Sequence, residues 1–278
     1  MTIVTRFAPS PNGPLHLGHA YSAVIAAHHA RSRGGEFLLR IEDIDGPRSR
    51  PEFVDAFRRD LEWLGLEWRE VPPQSARLDT YEAAADTLEG RGLLYPSSAN
   101  RRDIQALPAR RSGDGNTYPG SARALSVQHS GSEPAALRLD IDAAMAEASE
   151  CIWVDDRAGS VIADPRDFGD VILVRKELPA SYHLAATLDD AADGVTFVTR
   201  GEDLFASTHV HRVLQELLGL PVPRYLHHDL IMGEDGTKLS KSRGSPALFH
   251  RRDGGEDGGR LHDELLARYL ERQNNIGT

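Results

Sequence analysis

The stretch RFAPSPNGPLHLGHA, Arg6 to Ala20, decides how this chain folds. Residues 3 to 8, IVTRFA, read as a short buried strand. The Pro/Asn/Gly run after them is a turn, and from Leu15 to Ala30 apolar residues recur at helical spacing. A strand running through a tight turn into a helix suits phosphate, because the first helical amides point outward unpaired and carry partial positive charge. His16 and His19 stand three residues apart on the first turn, where both lie on one face. Gly18 between them lets a nucleotide come close to the backbone. H-x-G-H alone is also the pattern of two satisfied helix histidines, so the rest of the chain has to decide.

Outward from that stretch, strand and helix alternate. EFLLRIED reads as a second strand. Helical patterns follow over Pro51–Leu64 and Leu78–Arg91, each closed by a glycine, Gly65 and Gly92. This is the signature of a parallel sheet covered by helices, an α/β fold of the Rossmann-like kind. Between Pro96 and Asp170 a polar run, PARRSGDGNTYPGSAR, gives way to short strand-like pieces, ALRLDI, CIWVDD and GSVIAD, which suggests an inserted small α+β subdomain. Alternation returns with DVILVR, HLAATLDDA, GVTFVTRG and the helix Ser207–Leu218, and a strand at YLHHDLIMG leads through EDGT to KLSKS. The expected organisation is 1–95 for the first half of the core, 96–169 for the insertion and 170–246 for the second half. A short helical tail then occupies 247–278, with RRDGGEDGGR as a charged loop and LHDELLARYLERQ as one amphipathic helix.

GTKLSKS, Gly236 to Ser242, holds two of only three lysines among 32 basic residues. Where arginine serves almost everywhere else, Lys238 and Lys241 point to a site needing a compact, mobile ammonium. A polar surface loop is the competing reading.

Net charge is −10, which argues against indiscriminate nucleic-acid binding but allows a local basic groove. Arg101, Arg102, Arg110, Arg111, Arg251 and Arg252 are its candidates. Cys151 is the single cysteine, which excludes an intrachain disulfide and a thiolate metal cluster. Apolar runs are too short to span a bilayer and MTIVTRFAPS lacks a signal pattern, so a cytoplasmic protein without a membrane partner is expected, as is a monomer.

Taken together, HLGH at the first strand-to-helix turn and KLSKS some 220 residues later resemble the paired signatures of class I aminoacyl-tRNA synthetases. The resemblance covers nearly all of residues 3–250 and is weakest between 96 and 165. It implies a Rossmann-like class I catalytic core, ATP bound by His16, Gly18, His19 and Lys241, Mg²⁺ as counter-ion, and catalytic roles for His16, His19, Lys238 and Lys241. RFAPSPNGPLHLGH, RIEDID, Tyr182 in SYHLA and RGEDL are similar to the glutamyl branch. By that likeness L-glutamate is held by Arg6, Phe7, Ala8, Pro9, Ser10, Glu42, Tyr182 and Arg200, the two arginines gripping carboxylates and Glu42 with Tyr182 receiving the ammonium. The competing reading for Glu42, Asp43 and Asp45 is a solvated acidic strand end or a cation site, and for Arg200 a surface ion pair.

Members of that branch often hold zinc with a C-x-C pair and a later Tyr-x₃-Cys. Here the matching positions are Ser97, Ala99, Tyr118 and Ala122, so no zinc is expected. Only 36 residues follow Ser242, and no anticodon-binding domain fits in them. That resembles the short paralogues which load glutamate onto queuosine in the anticodon of tRNA(Asp), making that RNA the expected partner. Other readings are a minimal glutamyl-tRNA synthetase, a ligase joining glutamate to a small amine, and a non-catalytic glutamate- or RNA-binding paralogue.

Overall fold

The computed structural model describes residues 2–99, 135–233 and 246–276. Strand β1 (Val4–Phe7) runs parallel to β2 (Glu36–Leu39), with Val4 opposite Glu36, and β2 runs parallel to β3 (Arg69–Glu70). A second sheet has the order β7-β6-β10-β9, built from β6 (Ile152–Asp155), β7 (Gly159–Ile162), β9 (Phe197–Gly201) and β10 (Arg224–His228). Here β10 is parallel to both β9 and β6, while β7 closes the edge antiparallel to β6. The two sheets meet where β1 lies beside the β9 segment: Thr196 donates its backbone N–H to Val4 O at 3.0 Å and accepts from the Val4 N–H through Oγ1 at 2.9 Å. Strand order therefore reverses between β1 and β9. In a doubly wound fold ligands bind at such a switch point, outside the carboxyl ends of the strands.

Helices cover both faces. Phe37 and Leu39 of β2 face one layer and Leu38 the other, as the two-residue strand period requires. On the first face α1 (Leu17–Arg31) packs with Phe57 and Leu61 of α2 (Pro51–Trp63) and with Leu261, Leu265 and Tyr269 of the last helix, α8 (Gly258–Ile276). The opposite face carries α3 (Leu78–Gly90), α5 (Tyr182–Ala192) and α6 (Ser207–Leu217). α1 is rich in alanine and buried around most of its circumference, which lets it lie close against β1 and β2. α8 begins where Asp257 Oδ1 accepts the Arg260 N–H. Gly258 permits that start, because a Cβ there would stand 2.0 Å from the Trp63 carbonyl oxygen. Of the run expected to be a charged loop, residues 254–257 are the connection, while 251–253 end α7 (Leu248–Asp253) and 258–260 form the first turn of α8.

The strands of the expected insertion divide between two sheets. β5 (Ala136–Leu139) pairs antiparallel with β4 (Leu94–Ser97) and with β8 (Ile172–Val174), while β6 and β7 join the core sheet instead. The reason lies in β6. Trp153 is 1% exposed and packs edge-on against Tyr225 and His227 of β10, with Phe205 beside them at 5.0 Å between ring centroids, so the apolar face of this strand is buried against the core. The short helix α4 (Ile141–Glu147) was not foreseen; Asp140 caps it by accepting the Ala143 N–H. Among the described residues no helix is long and apolar enough to cross a membrane.

Candidate active site

A cavity of about 510 Å³ opens at the carboxyl ends of β1, β9 and β10. Its wall includes Arg6, Phe7, Ala8, Pro9 and Ser10 from β1 and the turn after it, and His16, Gly18 and His19 from the start of α1. Glu42, Tyr182 and Arg200 line it as well, so that of the site residues named from the sequence all but the two lysines are in this wall. Lys238, Lys241, Tyr118, Ala122 and the arginines at 101, 102, 110 and 111 lie outside the described residues. Both flanks of the lysine segment reach the cleft, however. Asp229, Leu230 and Ile231 line it, and beyond the segment Ala247 bridges to His16 while Leu248 donates its N–H to Leu15 O at 2.7 Å.

The two histidines close the first turn of α1 on themselves. His16 is the N-cap: its Nδ1 accepts the Gly18 N–H at 3.1 Å, and His19 Nδ1 accepts the His16 N–H at 3.1 Å. Imidazoles replace the usual Ser/Asp cap and Glu of a capping box. With both Nδ1 atoms accepting, each neutral ring carries its proton on Nε2. The ring centroids are 3.8 Å apart. A Cβ on Gly18 would meet the His16 ring at 3.1 Å, so the glycine gives that ring room over the helix start.

Behind β1 a buried charge cluster holds the arginines in place. Asp190 Oδ1 accepts from Arg6 Nε at 2.9 Å and from Arg40 Nη2 at 2.8 Å, and Arg40 Nη1 bonds Asp193 Oδ2 at 2.9 Å. Arg77 reaches Asp189 at 3.1 Å and also bonds Asp193. Asp189 further accepts from Gln74 Nε2 and Tyr81 Oη, each at 2.8 Å. Burial works against charge on Arg40, but Asp190, Glu42 and Asp189 outweigh it and hold the guanidinium protonated. Three guanidiniums thus meet four carboxyls, and Glu42 is the one without a short bond: its nearest guanidinium, Arg40, is 3.8 Å away. Burial pushes the Glu42 carboxyl up to about 7 against the pull of Arg40 and Arg6. An ammonium arriving beside Glu42 would supply the missing positive charge.

Arg200 is in the opposite condition. It is 5% exposed, not a surface ion pair, and its contacts are neutral: Nε bonds His227 Nε2 at 3.1 Å, Nη2 bonds Thr208 Oγ1 at 2.5 Å, and Nη1 bonds Tyr182 Oη at 3.2 Å with His211 Nδ1 at 3.4 Å. No carboxylate of the described residues pairs with it. A buried, uncompensated guanidinium lining a cavity is a site for an anion of fork-matching shape.

Asp43 and Asp45 serve the framework. Asp43 accepts from the Ser75 N–H and hydroxyl, and Asp45 bonds Arg48 and Arg175. Arg251 and Arg252, considered for an RNA groove, are engaged by Glu256 at 2.6 Å and Asp60 at 2.5 Å. Sequence reasoning missed Arg40, Asp190, Thr208, Asp229, His211 and His227. Of these only Asp190 carried a local signal, the paired aspartates of HLAATLDDA. Among the described residues no group of three His, Cys, Asp or Glu side chains is arranged to hold a metal ion. Any Mg²⁺ would come with nucleotide phosphates, the usual way this ion is held.

Residues 2–268 match the family of class I tRNA synthetases (E and Q), catalytic domain. The chain belongs to that family. Among similar members, the glutamyl-Q tRNA(Asp) synthetase of Rhodobacter capsulatus is 47% identical, the match spanning 88% of this chain and 93% of that one. Its namesake in Deinococcus radiodurans is 41% identical over 95% and 88%. The crystal structure of a glutamate tRNA ligase from Elizabethkingia meningosepticum, in complex with its amino acid, superposes with a TM-score of 0.70 at 27% identity. That match covers 89% of this chain and 54% of the ligase. The chain therefore spans nearly the whole of the two short family members and about half of the ligase.

Proposed function

We propose that this chain activates L-glutamate with ATP and transfers it to the queuosine base of tRNA(Asp). The observation that carries the glutamate reading is the polarity of the cavity, with Glu42 short of a cation at one place and Arg200 short of an anion at another. Glutamate supplies both charges. Arg200 would hold one carboxylate, Arg6 would orient the other, and Glu42 with Tyr182 would receive the ammonium. The backbone of Phe7, Ala8, Pro9 and Ser10 would form the floor.

In the first step a carboxylate oxygen of glutamate attacks the α-phosphorus of ATP, a P–O bond forms, and the bond to pyrophosphate breaks. The Nε2–H groups of His16 and His19, with the N-terminal amides of α1, offer donors to the phosphates. Lys241 and Lys238 would follow the charge that gathers on the leaving pyrophosphate. Mg²⁺, arriving with the nucleotide, would neutralise phosphate charge. In the second step an acceptor hydroxyl attacks the activated carbonyl and AMP leaves. No side chain need form a covalent bond, since positioning and charge stabilisation account for the rate.

The acceptor rests on the near end-to-end match to glutamyl-Q tRNA(Asp) synthetases. The test is side-by-side charging of three RNAs: tRNA(Asp) with queuosine, the same tRNA with guanosine in its place, and tRNA(Glu). Glutamate should go to the first alone. Charging of tRNA(Glu) would make the chain a minimal glutamyl-tRNA synthetase. Adenylate formation without charging of any RNA would point to a small-amine ligase.

A further inference from the structure

Two residues away from the cavity wall determine how Arg200 is presented. Asp155, at the end of β6, is enclosed and accepts four N–H groups. Its Oδ1 takes those of Arg157 and Ala158 at 2.9 Å each, and its Oδ2 takes the His227 backbone N–H at 3.1 Å and His227 Nδ1 at 2.7 Å. Burial opposes the charge on Asp155, but these donors outweigh it and hold the carboxyl below its ordinary range. A carboxylate only accepts, so the His227 proton sits on Nδ1. Burial keeps the ring neutral by pushing its pKa down to about 4, against the pull of Asp155. Nε2 is left with a lone pair, and that lone pair meets Arg200 Nε at 3.1 Å and Thr208 Oγ1 at 3.1 Å.

The order of these bonds matters. At Arg6 the carboxylate of Asp190 touches the guanidinium directly and compensates its charge. At Arg200 a neutral imidazole stands between guanidinium and carboxylate, so the fork is fixed in orientation while its charge stays available to a ligand. The opposite tautomer of His227 would set an N–H against the N–H of Arg200 Nε and turn the fork away.

We propose that Asp155 and His227 are positioning residues for Arg200, fixing the guanidinium through a neutral acceptor so that it selects a carboxylate side chain over the corresponding amide. This rests on the reading above that Arg200 holds glutamate. A site with an uncompensated cation discriminates strongly against an uncharged isostere, because the amide leaves the buried charge unmatched.

The test compares glutamate and glutamine binding by calorimetry in the wild type, Asp155→Asn, His227→Gln and His227→Leu. In Asp155→Asn an amide NH₂ replaces an oxygen that accepts two N–H groups; turned toward His227 it leaves only the backbone N–H unmatched once the ring proton moves to Nε2, which favours the wrong tautomer. Glutamate affinity should fall by about tenfold or more and the glutamate-over-glutamine ratio by a similar factor, with ATP affinity unchanged. The ¹⁵N spectrum should place the His227 proton on Nδ1 in the wild type and move it in the variant. His227→Gln can donate to Asp155 and accept from Arg200 through one amide, so it should keep the ratio within about threefold; His227→Leu should lose it. A folded Asp155→Asn that binds and discriminates like the wild type would overturn the proposal. If that variant does not fold, equal ratios in His227→Gln and His227→Leu would overturn it instead. A wild type that does not bind glutamate fails the reading of Arg200, a different result from intact binding that ignores Asp155.

Discussion

Glu42 Oε1 stands 3.8 Å from Arg40 Nη2, and the Arg40 guanidinium is already bonded to Asp190 and Asp193. Glu42 is therefore buried beside a cation committed elsewhere. Asp189 and Asp190 add their repulsion to the desolvation that raises it to about 7, with Arg40 and Arg6 pulling the other way. Only the ionised form attracts an ammonium.

Glutamate affinity should accordingly weaken as pH falls through about 7. The free protein takes up a proton on Glu42 that binding must expel, so the dissociation constant at pH 6 should be about tenfold higher than at pH 8. Calorimetric titration across that range checks it, with Glu42→Gln as the control expected to bind weakly and without this pH dependence. A flat wild-type profile would mean that Glu42 does not receive the ammonium.

Lys241→Ala should lower glutamate-dependent exchange of pyrophosphate into ATP by roughly 10²-fold or more while glutamate affinity stays near the wild-type value, because the ammonium acts on charge that develops in the transition state. Arg200→Ala should do the reverse first, raising the dissociation constant for glutamate. Wild-type exchange in the Lys241 variant would leave the lysine pair as ordinary surface charge.

Legibility in the sequence followed the distance over which each feature is made. Arg6 to Ser10, His16, Gly18 and His19 share one strand, one turn and one helix start, so 14 residues contain a whole wall of the cavity. Tyr182 and Arg200 were reached through short flanking motifs. The groups that orient the arginines are different in kind. Arg40 meets Asp190 across 150 residues and His227 meets Asp155 across 72, and no local pattern reports such pairings. For the same reason Ile152–Asp155 read plainly as a strand but gave no sign of which sheet it would join. Helix α4 escaped because the strand-like ALRLDI runs into it and only Asp140 marks the change.

Zinc offers a separate check on the segment after β4. Ser97 is 1% exposed at the end of that strand, in one position where family members often carry a thiolate, and a hydroxyl is a poor zinc ligand. Elemental analysis of the purified protein should find no stoichiometric zinc, and a chelator should leave the melting temperature unchanged. One tightly held zinc per chain would show that other side chains supply the ligands.

An ion pair between α7 and α2 anchors the chain after the lysine segment. Asp60 of α2 is fully buried, its Oδ1 bonded to Arg252 of α7 at 2.5 Å and its Oδ2 without a partner among the described residues. Burial raises this carboxyl to about 6 even with Arg252 beside it. Arg252→Met would leave it buried and unpaired, a change of roughly 3 kcal/mol or more. A carboxyl whose folded pKa lies above its unfolded value destabilises the fold as pH rises through that window, and removing Arg252 raises the folded pKa further. The loss in melting temperature should therefore be largest near pH 8 and much smaller near pH 5, where Asp60 can take up a proton. Arg252→Met with Asp60→Asn should recover most of the stability at pH 8. An equal loss at both pH values would assign the effect to the packing of the arginine stem instead of to the buried charge.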